Sequence, residues 1–100
     1  MNKALQLLSL AQRAGKVASG EFKTEEAVKG GQASLVIIAS DASDNTKKKF
    51  SDMCSFRNVP VIVYSEKEEL GHYIGKEFRA TLAVTDDGLA DKIIQESNVN

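Results

Sequence analysis

The sequence of 100 residues has one cysteine, one proline, one histidine and no tryptophan. A single cysteine cannot form an internal disulfide, and it excludes zinc or iron–sulfur sites that are built from several cysteines. The longest continuous apolar run covers residues 35–39, which is far too short to cross a bilayer. The first residues also lack the apolar stretch of a signal peptide. We therefore expect a cytoplasmic protein with no membrane partner.

The residues that are present have the balance of one folded domain. Apolar residues make up 42% of the chain and charged residues 27%, as in an ordinary soluble globular protein. A chain of this length buries roughly two-thirds of the surface that it exposes when unfolded, so most of it must serve the core. We expect residues 1–100 to form a single domain. Because no exposed apolar stripe is evident, we also expect a monomer.

The charges nearly cancel overall but are unevenly distributed. Thirteen Lys and Arg against 14 Asp and Glu give a formal charge of −1. Residues 1–49 carry eight basic and five acidic side chains, a net +3, whereas residues 50–100 carry five basic and nine acidic ones, a net −4. A domain with one mildly basic end can dock on RNA. Simple solvation of the surface explains the same distribution equally well.

Helical and extended patterns alternate along the chain. Apolar spacing and stop residues predict helices over 3–14 and 21–30, a third helix after Ser43, a short fourth one after Ser65 and a last one after Thr85. Between them lie a brief extended piece and three strands that we expect to be buried; they cover residues 17–19, 35–39, 61–64 and 81–84. This alternation with short connections places helices on both sides of one sheet. The predicted fold is α/β, a three-layer α/β/α sandwich.

Individual residues specify three helix starts and one helix face. Ser43 and Thr85 supply hydroxyl groups for N-caps, and Ser65 and Glu68 have the spacing of a capping box. The inner side of the third helix is predicted to hold Phe50, Met53, Cys54 and Phe56.

No sequence motif indicates catalysis or a metal site. His72 has no cysteine, serine or metal-type partner at a recognisable spacing. Cys54 fits the apolar pattern of its helix and is interpreted as a small core residue. Asp86 and Asp87 fall in a first helical turn, where acidic side chains complement the helix dipole. No glycine-rich phosphate loop follows a strand. We therefore expect no enzyme, no cofactor and no metal.

Polar and aromatic residues collect instead beside the predicted strands. Lysine, arginine and helix-start amides bind phosphates, and planar Phe and Arg side chains stack on unpaired bases. The loops at one end of such a sheet converge, and we expect them to gather Lys16, Lys23, Lys76 and Arg79. In the competing interpretation, Phe22 and Phe78 belong to the core, and the charged side chains only keep the loops solvated. The candidate RNA-binding residues are Lys16, Gly20, Glu21, Phe22, Lys23, Glu26, Lys29, Lys76, Phe78 and Arg79.

Two other conspicuous motifs have simpler explanations. The lysines at 47–49 fall within the third helix, where successive side chains point about 100° apart, so they cannot all face one strand of phosphates. Gly30 and Gly31 stand directly before a strand and are predicted to end the second helix.

Several segments of the chain resemble one known protein family in content and order. They are residues 7–21 (LLSLAQRAGKVASGE), residues 35–50 (LVIIASDASDNTKKKF), and the pieces ELG at 69–71 and IGKE at 74–77. On these segments the chain is similar to the L-seven-Ae/L-thirty-e superfamily of ribosomal proteins, most of all to its short bacterial YlxQ-type members. The resemblance covers nearly the whole chain. It implies an α/β/α sandwich around a mixed four-stranded sheet.

The resemblance also implies RNA binding, commonly to kink-turns, which are sharply bent duplexes with a bulge beside sheared G·A pairs. Members of the family use a glycine-led helix start, Gly-x-Asn-Glu-x-x-Lys, and the loop before the last strand. The matching positions here are Gly20, Phe22, Lys23 and Glu26, of which only the glycine is kept. Phe and Lys cannot reproduce the base-edge contacts of Asn and Glu, and losing one good contact of this kind costs roughly 1–3 kcal/mol of discrimination.

Two functional hypotheses from different classes follow. The leading one is a small non-enzymatic RNA-binding protein that works with ribosomal RNA or another structured RNA through residues 16–29 and 75–80, with the ribosome as a further candidate partner. The alternative is a protein-interaction module that keeps the fold but has lost the RNA site, which the acidic second half favours. A small-molecule site where the loops converge is a weaker third hypothesis, since no residue specifies a ligand.

Overall fold

The computed structural model describes residues 2–98, which form five helices and four strands. The helices are α1 (Lys3–Arg13), α2 (Glu21–Lys29), α3 (Asp44–Arg57), α4 (Lys67–Tyr73) and α5 (Asp87–Ser97). The strands are β1 (Val17–Ser19), β2 (Leu35–Ile38), β3 (Val61–Val63) and β4 (Thr81–Val84).

The four strands form one mixed sheet in the order β1-β4-β2-β3. The central pair, β4 and β2, is antiparallel, as is the pair β1 and β4, whereas β2 and β3 are parallel. Helices α1, α4 and α5 pack together on one side of this sheet, and α2 packs with α3 on the other. The predicted α/β sandwich with a four-stranded mixed sheet is therefore confirmed.

The core lies on both faces of the two central strands. All four residues of β2 and all four of β4 are buried, as their continuous apolar and β-branched runs predict. The third strand differs from its predicted full burial. β3 is only half-buried, and Val63 is 52% exposed, because this strand lies at the edge of the sheet and lacks a neighbour on one side.

The capping residue was predicted correctly for one of three helices and wrongly for the other two. Ser43 does cap α3, since its hydroxyl accepts a hydrogen bond from the Thr46 amide at 3.1 Å. The expected capping box at the start of α4 is absent: Ser65 has φ +63° and its hydroxyl donates to the Glu69 carboxylate.

Aspartates from neighbouring positions take over at α4 and α5. The Lys67 amide at the start of α4 donates to Oδ1 of Asp41 at 2.8 Å, so the cap comes from the loop after β2. At α5 the cap is Asp86, not Thr85, and it accepts from the Leu89 amide at 2.8 Å. A carboxylate is both an acceptor and an anion, which suits the positive end of a helix.

The inner face of α3 is also narrower than predicted. Phe50 and Cys54 are fully buried and Met53 packs against the core, but Phe56 is 83% exposed. Residues four apart share a helix face, whereas residue 56 lies only two positions after Cys54 and points elsewhere. Gly30 and Gly31 end α2 as predicted, with Gly31 at φ +77°.

Candidate nucleic-acid interface

A glycine forms the sharp turn from β1 into α2. Gly20 has φ +92° and ψ 162°, a backbone region that is essentially restricted to glycine. Its amide donates to the Thr81 carbonyl at 2.9 Å, which fixes the turn beside the first residue of β4. The turn therefore has one defined position at this end of the sheet.

Two buried threonines hold the start of α2 against the sheet. Thr24 and Thr81 are both completely inaccessible to solvent. The Thr81 hydroxyl donates to the Thr24 hydroxyl at 3.2 Å, and the Thr24 hydroxyl donates in turn to the Gly20 carbonyl at 2.6 Å. Because each hydroxyl has a partner, this polar pair is buried without an unsatisfied group. It orients the first turn of α2, which carries Phe22 and Lys23.

The segment of residues 75–79 lies directly on α4. The Lys76 amide donates to the Gly71 carbonyl at 2.8 Å, and the Arg79 amide donates to the Lys67 carbonyl at 3.1 Å. Gly71 makes this approach possible, because a Cβ at that position would lie 2.1 Å from the Glu77 carbonyl oxygen. The backbone that carries Phe78 and Arg79 therefore depends on the absence of a side chain at residue 71.

The turn and the segment meet through Arg79. Its Nε donates to the Ser19 hydroxyl at 3.3 Å, and its Nη1 donates to the Phe78 carbonyl at 2.7 Å. Phe78 directly precedes Arg79 and is 59% exposed, and Phe22 lies two residues after Gly20 and is 77% exposed. The interpretation of these phenylalanines as core residues is wrong. We call the group Gly20, Phe22, Phe78 and Arg79 the Gly20–Arg79 surface.

Lys16 lies at the opposite end of β1 from Gly20. Its carbonyl accepts from the Thr85 amide at 2.9 Å, beyond the last residue of β4. The three residues of β1 separate Lys16 from Gly20, and the four residue-to-residue steps of extended chain span ~13 Å. A groove of about 570 Å³ between α2 and β1 contains Lys16, Lys23 and Glu26. The structure thus brings Lys16 and Lys23 to one groove but does not gather all four expected cations at one point.

Lys76 is placed in strongly acidic surroundings. It lies in a shallow depression along α4 together with His72 and Tyr73. The same depression contains four glutamates, Glu66, Glu68, Glu69 and Glu77. One lysine among four carboxylates gives a local charge of −3 when His72 is neutral, so this part of the predicted site repels a phosphate backbone.

Lys29 is engaged in an ion-pair network on the other side of α2. Its Nζ lies 2.6 Å from Oε2 of Glu25, and the Lys49 Nζ lies 2.9 Å from the other carboxylate oxygen. Hydrogen bonds from Lys29 and Lys49 lower the pKa of Glu25 from 4.5 to about 2. Hydrogen bonding to Glu25 raises the pKa of Lys49. These contacts join α2 to α3, away from the Gly20–Arg79 surface.

The remaining predicted site residues are exposed on α2. Glu21 is its first residue, and Glu26 lies one turn further along, in the groove with Lys23. Both glutamates reduce the positive charge that Lys16 and Lys23 contribute. The electrostatic attraction of this region for RNA is consequently weak, and apolar and planar groups form its most distinctive feature.

Sequence reasoning missed the residues that position the surface. Ser19 accepts from Arg79, and the pair Thr24 and Thr81 fixes the turn, but nothing in their local sequence marks them. In the sequence, Gly71 stands out only as part of the ELG piece at 69–71. Its role becomes visible only with the distance to Glu77.

The other reactive side chains give no further site. His72 is exposed, and its ring meets that of Tyr73 edge to face at 5.5 Å. Cys54 is buried, and burial raises the pKa of its thiol. Within residues 2–98, no cluster of His, Cys, Asp or Glu is arranged to hold a metal ion, and no helix is long and apolar enough to cross a membrane.

Two bacterial proteins are similar to this chain in sequence. The chain is 46% identical to the "RNA-binding protein YlxQ" of Bacillus subtilis over 88 residues, which is 88% of each protein. It is 40% identical to the protein of the same name from Enterococcus faecium over 90 residues, covering 90% of this chain and 86% of that one.

Two solved structures have the same fold as this chain. A protein of unknown function from Bacillus halodurans C superposes with a TM-score of 0.94 at 40% identity, over 98% of this chain and 99% of that one. The 15.5kD RNA binding protein of Giardia lamblia has the same fold, with a TM-score of 0.80 at 22% identity, over 93% and 82% of the two chains. The model of the Ribosomal protein L7Ae/L30e/S12e/Gadd45 family matches residues 2–94, and this chain belongs to that family.

Proposed function

We propose that the protein binds structured RNA through the Gly20–Arg79 surface and the adjoining groove between α2 and β1. One observation carries the proposal: the Arg79–Ser19 hydrogen bond brings the segment that holds Phe78 beside the glycine turn that precedes Phe22. Relatives named as RNA-binding proteins, at 40% identity or more, support the same class of ligand. No enzymatic step is part of this function.

The two exposed phenyl rings are suited to unpaired bases. A large apolar side chain that remains 77% exposed contributes little to the core, so Phe22 is available to a ligand. A base that stacks on an aromatic side chain gains about 1–3 kcal/mol, largely independently of its identity. Arg79 adds a planar cation that can stack on a base or bind a phosphate. The surface therefore favours RNA with bases that are not stacked within a duplex.

The groove supplies the contacts to phosphates. Lys16 and Lys23 lie along it, and its third charged residue is Glu26. With Arg79, these two lysines give three cations that can neutralise phosphates. Three phosphate contacts correspond to a slope of about −2.7 when log affinity is plotted against log salt, if the duplex coefficient applies. Binding should weaken with salt, but gently.

The residues at positions 22 and 23 determine how the protein would recognise a kink-turn. The Asn and Glu of the family motif are replaced here by Phe22 and Lys23, which can stack and attract phosphate but cannot reproduce the pattern of donors and acceptors that Asn and Glu present to the edges of G·A pairs. Each lost base-edge contact removes roughly 1–3 kcal/mol of discrimination. We infer that the protein binds a kink-turn through its bulged bases and backbone, and that it depends little on the sheared G·A pairs. Ribosomal RNA and the assembled ribosome are candidate sources of such structures.

Binding assays with defined RNAs test the proposal. Fluorescence anisotropy would compare a kink-turn RNA, the same RNA with Watson–Crick pairs in place of the G·A pairs, a blunt duplex without a bulge, and purified ribosomes. We expect the two bulged RNAs to bind within about tenfold of each other, and the blunt duplex to bind more weakly. If G·A replacement abolishes binding, the protein reads base edges and our interpretation of Phe22 and Lys23 is wrong.

Charge variants locate the binding face. Lys16→Ala, Lys23→Ala and Arg79→Ala should each weaken RNA binding, and each should reduce the salt slope by about 0.9. Lys92→Ala on α5 is the matched control and should leave affinity unchanged. If all three folded variants bind as well as the parent, the face is wrong. If the parent retains no RNA and copurifies with a protein, the alternative of a protein-interaction module is favoured.

A further inference from the structure

A second groove runs along the surface between α1 and α5. Its volume is about 540 Å³, and α1 lines it with Lys3, Leu7, Leu10 and Arg13. Lys92 and Glu96 line it from α5. These two helices pack extensively against each other on the side of the sheet opposite to α2. None of the residues that line this groove belongs to the Gly20–Arg79 surface or to the groove between α2 and β1.

The floor of this groove is apolar and partly uncovered. Leu7 packs only partly against the core, and Leu10 remains 45% exposed. Leu8 and Ala11 on the same helix are fully buried, so the core is filled by other side chains of α1. The spacing from Lys3 through Leu7 and Leu10 is typical of one helix face. The part of this face of α1 that carries Leu7 and Leu10 is therefore only partly covered by α5.

The rim of the groove is positively charged although the chain as a whole has a net charge of −1. Lys3, Arg13 and Lys92 face a single anion, Glu96, which gives the groove a net +2. Within residues 2–98, none of the three ion pairs between side chains involves these cations. Their charges are thus available to a partner of opposite sign.

We propose that this groove binds an acidic amphipathic helix of a partner protein. An apolar floor between two helices with a charged rim suits a helix that inserts apolar side chains at a spacing of three and four residues. The distance from Lys3 to Arg13 along α1 is ~15 Å, the length of about ten helical residues. Aspartates or glutamates beside the apolar face of the partner would meet Lys3 at one end and Arg13 at the other.

The apolar floor distinguishes this partner from RNA. Leu7 and Leu10 offer neither hydrogen-bond donors nor planar rings, so they contribute nothing to a phosphate backbone or to a stacked base. The groove also shares no lining residue with the Gly20–Arg79 surface or with the groove between α2 and β1. The protein could therefore hold both at once, and either interaction can fail without the other.

The test uses a synthetic peptide of about 14 residues with leucines at the helical spacing and glutamates flanking them. Two control peptides have the same composition in scrambled order, or lysine in place of glutamate. Isothermal titration calorimetry with the full chain should show saturable binding of the acidic peptide, and at least tenfold weaker binding of both controls. Equal binding of the scrambled peptide, or no binding of the acidic peptide up to about 1 mM, would overturn the proposal.

Variants of the protein assign the binding to the groove. Leu10→Glu should weaken binding of the acidic peptide at least tenfold. The matched control is Val63→Glu on the edge strand β3, where an apolar side chain of similar exposure is replaced. Arg13→Gln, which leaves the apolar floor intact, provides a second variant and should reduce both affinity and its salt dependence. Equal affinity for Leu10→Glu and Val63→Glu contradicts the assignment.

A competition experiment separates this proposal from the RNA-binding function. Saturating kink-turn RNA should leave the peptide affinity unchanged, and the charge variants at Lys16 and Lys23 should bind the peptide normally. Displacement of the peptide by a blunt RNA duplex would instead identify the groove as a nucleic-acid surface and would refute the proposal.

Discussion

A substitution at Gly71 tests how the structure places the segment that carries Phe78 and Arg79. In Gly71→Ala, the new Cβ would lie 2.1 Å from the Glu77 carbonyl oxygen and 3.1 Å from the Phe78 amide nitrogen. Non-bonded heavy atoms pack at about 3.5–4.0 Å, so the segment must move by more than about 1 Å. Overpacking of this kind typically costs about 1–3 kcal/mol. It outweighs the gain of about 1 kcal/mol when alanine replaces a helical glycine.

Gly88 in α5 provides the matched control. A Cβ at this position meets only the Asp86 carboxylate, at an ordinary contact distance of 3.5 Å. Urea denaturation should show a lower free energy of unfolding for Gly71→Ala, by up to about 2 kcal/mol once the helix gain is subtracted from the overpacking cost, and a higher one for Gly88→Ala, by up to about 1 kcal/mol. RNA affinity should fall only for Gly71→Ala. Two equally stable variants would refute the close approach of residues 75–79 to α4.

Three further variants test the contacts that support the interface. Thr24→Val removes the acceptor of the buried Thr81 hydroxyl and should destabilise the fold by about 1–3 kcal/mol in urea. Asp41→Ala removes the acceptor for the Lys67 amide and should cost about 0.5–2 kcal/mol by thermal unfolding. The hydrogen bonds from Lys29 and Lys49 that lower the pKa of Glu25 also stabilise the fold above pH 4.5. This contribution is lost as the pH falls towards 2 and the carboxylate is protonated. The stability difference between the parent and Glu25→Gln should therefore shrink over that range.

Each of these variants has a result that would contradict its rationale. Thr24→Ser, which keeps the hydroxyl, should retain more of the stability than Thr24→Val; the reverse order would argue against the hydrogen bond. Asp41→Asn keeps an acceptor and should be milder than Asp41→Ala. A constant stability difference for Glu25→Gln from pH 7 to 2 would show that the ion pairs with Lys29 and Lys49 do not form in solution.

The sequence predicted the layers of the fold because the patterns that define them are local. The continuous apolar runs of β2 and β4 require burial on both faces, and the glycines at 30 and 31 stop α2 wherever it packs. The family resemblance added the number of strands and their mixed directions. The predictions of the α4 cap and of the burial of β3 were wrong because both features depend on residues far away in the sequence. The cap of α4 comes from Asp41, and the exposure of β3 follows from its place at the edge of the sheet.

The candidate site was less predictable for the same reason. The sequence predicts Gly20, Phe22, Phe78 and Arg79 as site residues, and the structure brings their two segments together. It also predicts that Lys16 and Lys76 lie with them. Lys16 instead lies at the other end of β1 from Gly20, and Lys76 lies among the glutamates along α4. Which loop residues become neighbours depends on strand register and on side-chain contacts that no local pattern records.

The central claim is that exposed phenyl rings beside the Gly20 turn bind RNA. The most direct measurement is the affinity of Phe22→Ala and Phe78→Ala for a kink-turn RNA, with Phe56→Ala as the control, since Phe56 is 83% exposed on α3. Loss of about 1–3 kcal/mol of stacking per ring predicts about five- to 150-fold weaker binding for each variant at the interface. The control should bind like the parent. Unchanged affinity of both folded interface variants would contradict the account.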